Sequence, residues 1–177
     1  MNILKTAFFA VLRPKDFFKT FKDIPLNFTL RYMFTLALIG PILSFYSMFV
    51  IENIPLWKTV LYGITTYILD ILCTYIFAFI LYKSERSERF DLYLKLAVFS
   101  STAIWLSDIV DIHQMLRPLS TVGLLYSLYL LYVAFSYTGI SSKRIFVYIF
   151  IFIILYVLNA LIAEAIVQNP IAARLMS

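Results

Sequence analysis

Five apolar runs, each about as long as a helix needs to cross a bilayer, occupy most of this 177-residue chain. They fall at Leu30–Val50, Trp57–Tyr82, Leu92–Ile112, Leu119–Thr138 and Ile145–Gln168. About 20 mainly apolar residues cross about 30 Å of hydrocarbon as a helix. Lipid supplies no hydrogen-bond partner, so each run must satisfy its own amides and is expected to be helical. Outer-membrane barrels alternate polar and apolar over segments of about ten residues, and these continuous runs do not. The expected fold class is therefore all-α. It is a polytopic membrane protein, a bundle of five transmembrane helices with N-terminal interfacial amphipathic helices. Residues 1–29 form a cytoplasmic segment and residues 30–177 the membrane domain.

Charge gives a direction. Lys5, Arg13, Lys15, Lys19, Lys22 and Arg31 precede or open the first run, Lys83, Arg86, Arg89 and Lys95 surround the second connection, and Lys143 and Arg144 the fourth. The other side receives only Lys58, Arg117 and Arg174. Basic residues collect in the cytoplasm, so the N-terminus is expected inside and the C-terminus outside. Only 14% of residues are charged, against about 25% in a soluble domain, so the pI near 9.3 is read as topology-setting charge facing anionic lipid headgroups. Nucleic acid is not an expected partner. The single Cys73 permits no intramolecular disulfide. No cleavable signal peptide is expected from the basic, amphipathic start.

Within residues 1–29, Ile3, Leu4, Phe8, Val11 and Leu12 recur at helical spacing. Pro14 interrupts, and Phe17, Phe18 and Phe21 follow among Lys15, Lys19 and Lys22. Two basic amphipathic turns parted by a proline are expected in the headgroup plane, or docked on the bundle or a partner. The contact residues are Lys5, Phe8, Arg13, Phe17, Phe18, Lys19, Phe21 and Lys22. Gly40-Pro41 predicts a kink in the first run, where Ser44 helps satisfy the freed carbonyls.

Asp70 is the sharpest chemical feature. It lies near the centre of the second run, where an ionisable residue costs at least about 2.5–3.5 kcal/mol. No Lys or Arg stands at that depth in another run, so Asp70 is expected to be neutral or bonded to polar neighbours. Gly63, Thr66, Asp70, Cys73 and Thr74 share a helix face that should point inward, with Ser100, Ser101 and Thr102 as partners. The functional reading is a proton or ion relay, and the structural one is a packing hydrogen bond. Asp108, Asp111, His113 and Glu164 gather near the outer ends of the third and fifth runs, a cluster that suits a cation or proton without matching a ligand motif. Tyr126, Tyr129, Tyr132, Tyr137, Tyr148 and Tyr156 read as packing and interfacial anchors, and Asn159 as an interhelical hydrogen bonder. No nucleophile–base pair, zinc motif or phosphate loop is present, so no cofactor, metal or enzymatic activity is expected.

Two segments carry a resemblance. Leu12–Phe21, LRPKDFFKTF, and Leu124–Leu158, a tyrosine-rich run followed by a basic turn and an apolar helix, resemble the Yip1-domain family in its short prokaryotic form. Ser100-Ser101-Thr102-Ala103 and Ala134 depart from it, where members often carry a proline and a glycine. The resemblance implies a helical bundle with a cytoplasmic N-terminal segment. Eukaryotic relatives act in vesicle trafficking with Rab-type GTPases and with one another, and the short N-terminal region here gives no ground for transferring that activity. The leading expectation is a non-enzymatic bundle of the cell inner membrane that organises the membrane or binds partners, as a homo-oligomer or with another membrane protein. The rival is a small transporter, channel or lipid-moving protein using Asp70 with Asp108, Asp111 or Glu164.

Overall fold

The computed structural model describes residues 2–86 and 89–168, apart from the side chains at positions 111, 114, 117 and 166–168. The described residues are all-α, with no strand. In chain order the helices are α1 (Ile3–Leu12), α2 (Pro14–Thr20), α3 (Leu26–Leu36), α4 (Ile39–Tyr46), α5 (Leu56–Ser84), α6 (Phe90–Ser100), α7 (Thr102–Ser107), α8 (Ser120–Ser136) and α9 (Ser142–Gln168). Four stretches are long and apolar enough to cross a membrane: Leu26–Ile51, Leu56–Ser84, Phe90–Val110 and Ser142–Ala165. The fourth expected span is the 17-residue α8, about 25 Å long at 1.5 Å per residue.

The first span is broken, but not where Gly40-Pro41 predicts. α3 ends at Leu36, a turn intervenes, and α4 restarts at Ile39. Proline lacks the N–H that would reach the carbonyl four residues back, and its ring crowds that carbonyl. For Pro41 that carbonyl belongs to Ala37, so the break falls one turn earlier. Pro41 itself sits in the first turn of α4, where an N–H has no intrahelical partner.

The third span, α6 running into α7, is the most enclosed of the four. Every residue from Tyr93 to Trp105 is buried. The junction leaves the Ile104 N–H free of the helix, and it donates to Ser127 Oγ of α8 at 3.0 Å. Thr102 shares a 2.8 Å hydrogen bond with the Tyr32 hydroxyl of α3. The segment holding Ser100 to Ala103 is thus a helix junction secured by side chains from its neighbours.

One face of this span is covered by the N-terminal segment, which corrects an expectation. Phe17, Phe18 and Phe21 are 2%, 0% and 0% exposed, so they do not form a surface at the headgroups. Phe17 packs edge-on to Phe18 and Phe99 at 5.2 and 5.0 Å between ring centroids. The aromatic spacing is amphipathic, as read, but the apolar face of α2 is spent on the protein's own core. Two polar contacts fix the segment. The Tyr126 hydroxyl of α8 donates to the Val11 carbonyl at 2.7 Å, and the buried Lys95 ammonium of α6 donates to the Lys22 carbonyl at 2.9 Å. Pro14 occupies the first position of α2 as a helix start rather than a break inside one.

α8 closes on α7 through Gly123. A Cβ there would lie 1.9 Å from Ser107 Oγ and 2.8 Å from the Ala103 carbonyl oxygen, so only glycine permits the approach. α5 and α9 run against each other and are joined at one end by Glu85. Its carboxylate accepts from Arg144 at 3.2 Å and from the Tyr148 hydroxyl, which also contacts Ser84 Oγ at 2.8 Å. Glu85 and Arg86 form a turn after α5, Arg86 at φ 49°.

Candidate polar site within the bundle

Asp70 stands at the midpoint of the unbroken α5. The face holding Thr66, Asp70, Cys73 and Thr74 turns toward α9, as the inward reading requires. The two threonines do not serve the carboxylate. Thr66 Oγ1 donates to the Tyr62 and Gly63 carbonyls at 3.0 and 3.1 Å, and Thr74 Oγ1 to the Asp70 carbonyl at 2.8 Å. Such back-bonding is the usual fate of a hydroxyl inside an apolar helix. The Cys73 thiol faces the Leu155 carbonyl at 3.7 Å.

The partner of Asp70 comes from α9. Asn159 Nδ2 donates to Asp70 Oδ1 at 2.5 Å, and among the described residues no other side chain bonds that carboxylate. The expectation of Ser100, Ser101 and Thr102 as partners is corrected. Ser101 Oγ donates to the Ala97 carbonyl, Thr102 is engaged with Tyr32, and the buried Ser100 Oγ has no bond partner among the described residues. Ser101 still lines a cavity with Asp70. Asn159 was legible as a hydrogen bonder but not as this one. The only signal was that both residues are polar at mid-depth in runs otherwise apolar.

Two cavities meet at the Asp70–Asn159 pair. The smaller, about 30 Å³, lies between Asp70, Thr74, Ser101, Trp105 and Asn159 and is bounded by Phe77 and Phe152. The larger, about 110 Å³, extends from Asp70 past Thr66, Tyr62, Tyr156 and Ser44 to Asp108. Volumes of that size hold one to several waters. No Lys, Arg or His is among the described residues lining either. Gly40 leaves room for the Asp108 carboxylate, whose Oδ2 would stand 2.7 Å from a Cβ at that position.

The outer cluster is divided. Asp108 faces inward on the larger cavity. His113 is exposed and its Nδ1 accepts from the Met115 N–H at 3.2 Å. Glu164 is exposed on α9, and the Asp111 side chain lies outside the described ones. Among the described residues no group of three or more His, Cys, Asp or Glu is placed to hold a metal ion. Of the N-terminal candidates, Lys5, Phe8, Arg13, Lys19 and Lys22 are exposed, with Lys19 beside Asp16 at 3.4 Å.

Apolar helices of spanning length around a small polar interior define a multi-pass membrane protein. The chain belongs to the Yip1 domain family, whose model matches residues 9–163. No curated protein and no solved structure matches it.

Proposed function

We propose that the protein is a non-enzymatic Yip1-type bundle of the cell inner membrane, with α8 as its fifth crossing, the N-terminus in the cytoplasm and the C-terminus outside. Its role is to organise the membrane or hold a partner through its N-terminal helix. One observation carries this reading. α1 buries Thr6, Ala7 and Ala10 against the bundle and leaves Leu4, Phe8 and Leu12 outward at 58%, 57% and 74% exposure. These three are four residues apart and form a single apolar stripe. Lys5 and Arg13 border it, the arrangement by which a helix rests in lipid beside anionic headgroups. Spin labels at Phe8 and Lys19, in a Cys73→Ser background in liposomes, test it. The Phe8 label should collide with oxygen dissolved in lipid and the Lys19 label with a water-soluble relaxant. An aqueous Phe8 label rejects the reading. Lys5→Gln with Arg13→Gln should lower retention of anionic lipid in native mass spectra.

A second reading, a small transporter, channel or lipid-moving protein built on Asp70, draws support from the cavity that Asp70 and Asp108 share. Flux in liposomes compared between the native protein and Asp70→Asn tests it, and an unchanged rate removes it.

A further inference from the structure

We infer that Asp70 is a proton-exchange site, served by water through the Asp108 end of the cavity. This rests on neither reading above, since exchange of a proton requires no net flux and no partner.

The first premise is charge. The Asp70 carboxyl lies at the middle of a spanning helix, its bonded partner is a neutral amide, and its cavities are lined by no described cation. A bare carboxylate in an apolar interior costs far more than one amide bond returns, so a positive charge must accompany it. Among the described residues the titratable groups facing it are Tyr62 and Cys73 from α5, Asp108 from the end of the third span and Tyr156 from α9. None of these is a cation.

The second premise is the shape of the space. Between Asp70 and Asp108 the lining includes the hydroxyls of Ser44, Tyr62, Thr66 and Tyr156, so water there has the two to four polar partners it needs. Asp108 opens the 3-10 turn Asp108–Ile112 near the end of the Phe90–Val110 stretch, and the polar His113 just beyond it is exposed. Toward the opposite end the smaller cavity meets Phe77 and Trp105, 1% and 2% exposed. The polar route to the carboxyl is the one from Asp108.

The third premise selects the ligand. An alkali ion is held by several oxygens, commonly including carbonyls released from a helix. α5 is unbroken around Asp70, Thr66 and Thr74 donate to their own helix, and Asn159 presents its N–H₂ group to the site. The helix releases no carbonyl at Asp70 and the one amide bonded to it is a donor, so a proton suits the carboxyl better than an alkali ion.

The full chain in lipid nanodiscs, followed by infrared difference spectroscopy, tests the inference. The expected result is a carboxylic-acid carbonyl band whose intensity follows pH, which shifts when heavy water replaces water and is lost in Asp70→Asn. Asp108→Asn should keep the band and slow the shift, because a group on the water path is removed. A band that survives in Asp70→Asn, or no band at any pH, overturns the proposal. So does a band blind to heavy water, which marks a sealed acid serving packing alone. A band displaced by sodium or potassium at fixed pH overturns it in favour of an alkali-ion site. Should Asp70→Asn fail to fold, an apolar carbodiimide on the native protein decides. Adducts mapped to Asp70 that fade as pH rises sustain the proposal, and absent or pH-independent adducts overturn it.

Discussion

Asn159 Nδ2 donates to Asp70 Oδ1 at 2.5 Å across 89 residues of sequence, joining α9 to α5. Interhelical hydrogen bonds in membranes contribute about 0.6 kcal/mol on average and up to about 1.7. This one is placed near the upper end, since its loss strands a carboxyl in an apolar interior. Asn159→Leu should therefore cost about 1–2 kcal/mol in denaturant titrations of the detergent-solubilised protein. Asp70→Asn, which keeps the shape and an acceptor, should cost less. Equal losses from both would show that the pair is not the source of the stability.

Gly123 sets the approach of α8 to α7. Gly123→Ala introduces a methyl group where Ser107 Oγ and the Ala103 carbonyl already stand, and overpacking of this kind costs about 1–3 kcal/mol. A lowered melting temperature is expected, and Ser107→Gly in the same chain should restore part of it. Restoration will be incomplete, since the Ala103 carbonyl cannot be removed.

Phe17 and Phe8 lie nine residues apart and should behave oppositely. Phe17→Ala empties a buried ring site between Phe18 and Phe99 and should cost about 3–5 kcal/mol. Phe8, outward on α1, should tolerate alanine with little change in detergent melting. Similar effects from the two would contradict the burial of α2.

At the Glu85 junction an order is expected. Glu85→Ala removes the acceptor shared by Arg144 and Tyr148, whereas Arg144→Ala removes only an exposed partner, and surface ion pairs contribute little. Melting should fall further for Glu85→Ala, and salt should weaken only the Arg144 contribution.

With α8 as a fifth crossing, as proposed, the termini would lie in different compartments. Reporters fused to each end should read cytoplasmic at the N-terminus and external at the C-terminus, and matching readouts would require that α8 does not cross.

Four of the five expected spans are legible in the sequence because length and hydropathy alone decide whether a run can live in lipid. The sequence places two of them at Trp57–Tyr82 and Leu92–Ile112, and the structure at Leu56–Ser84 and Phe90–Val110. The break in the first span was legible in cause and misplaced in position, since Pro41 acts on a carbonyl one turn behind it. The burial of Phe17, Phe18 and Phe21 was not legible. An apolar helix face has the same spacing whether lipid or protein covers it, and the basic residues around it favoured the first answer. The inward turn of Asp70 could be read from its own helix. Its pairing with Asn159 could not, because that depends on how α5 and α9 are rotated against each other.

The Tyr126–Val11 contact also has a consequence for assembly in time. Tyr126 leaves the ribosome 115 residues after the carbonyl it will bind. α1 therefore lacks that contact until α8 has been made, so an early part of the fold is secured by a much later one.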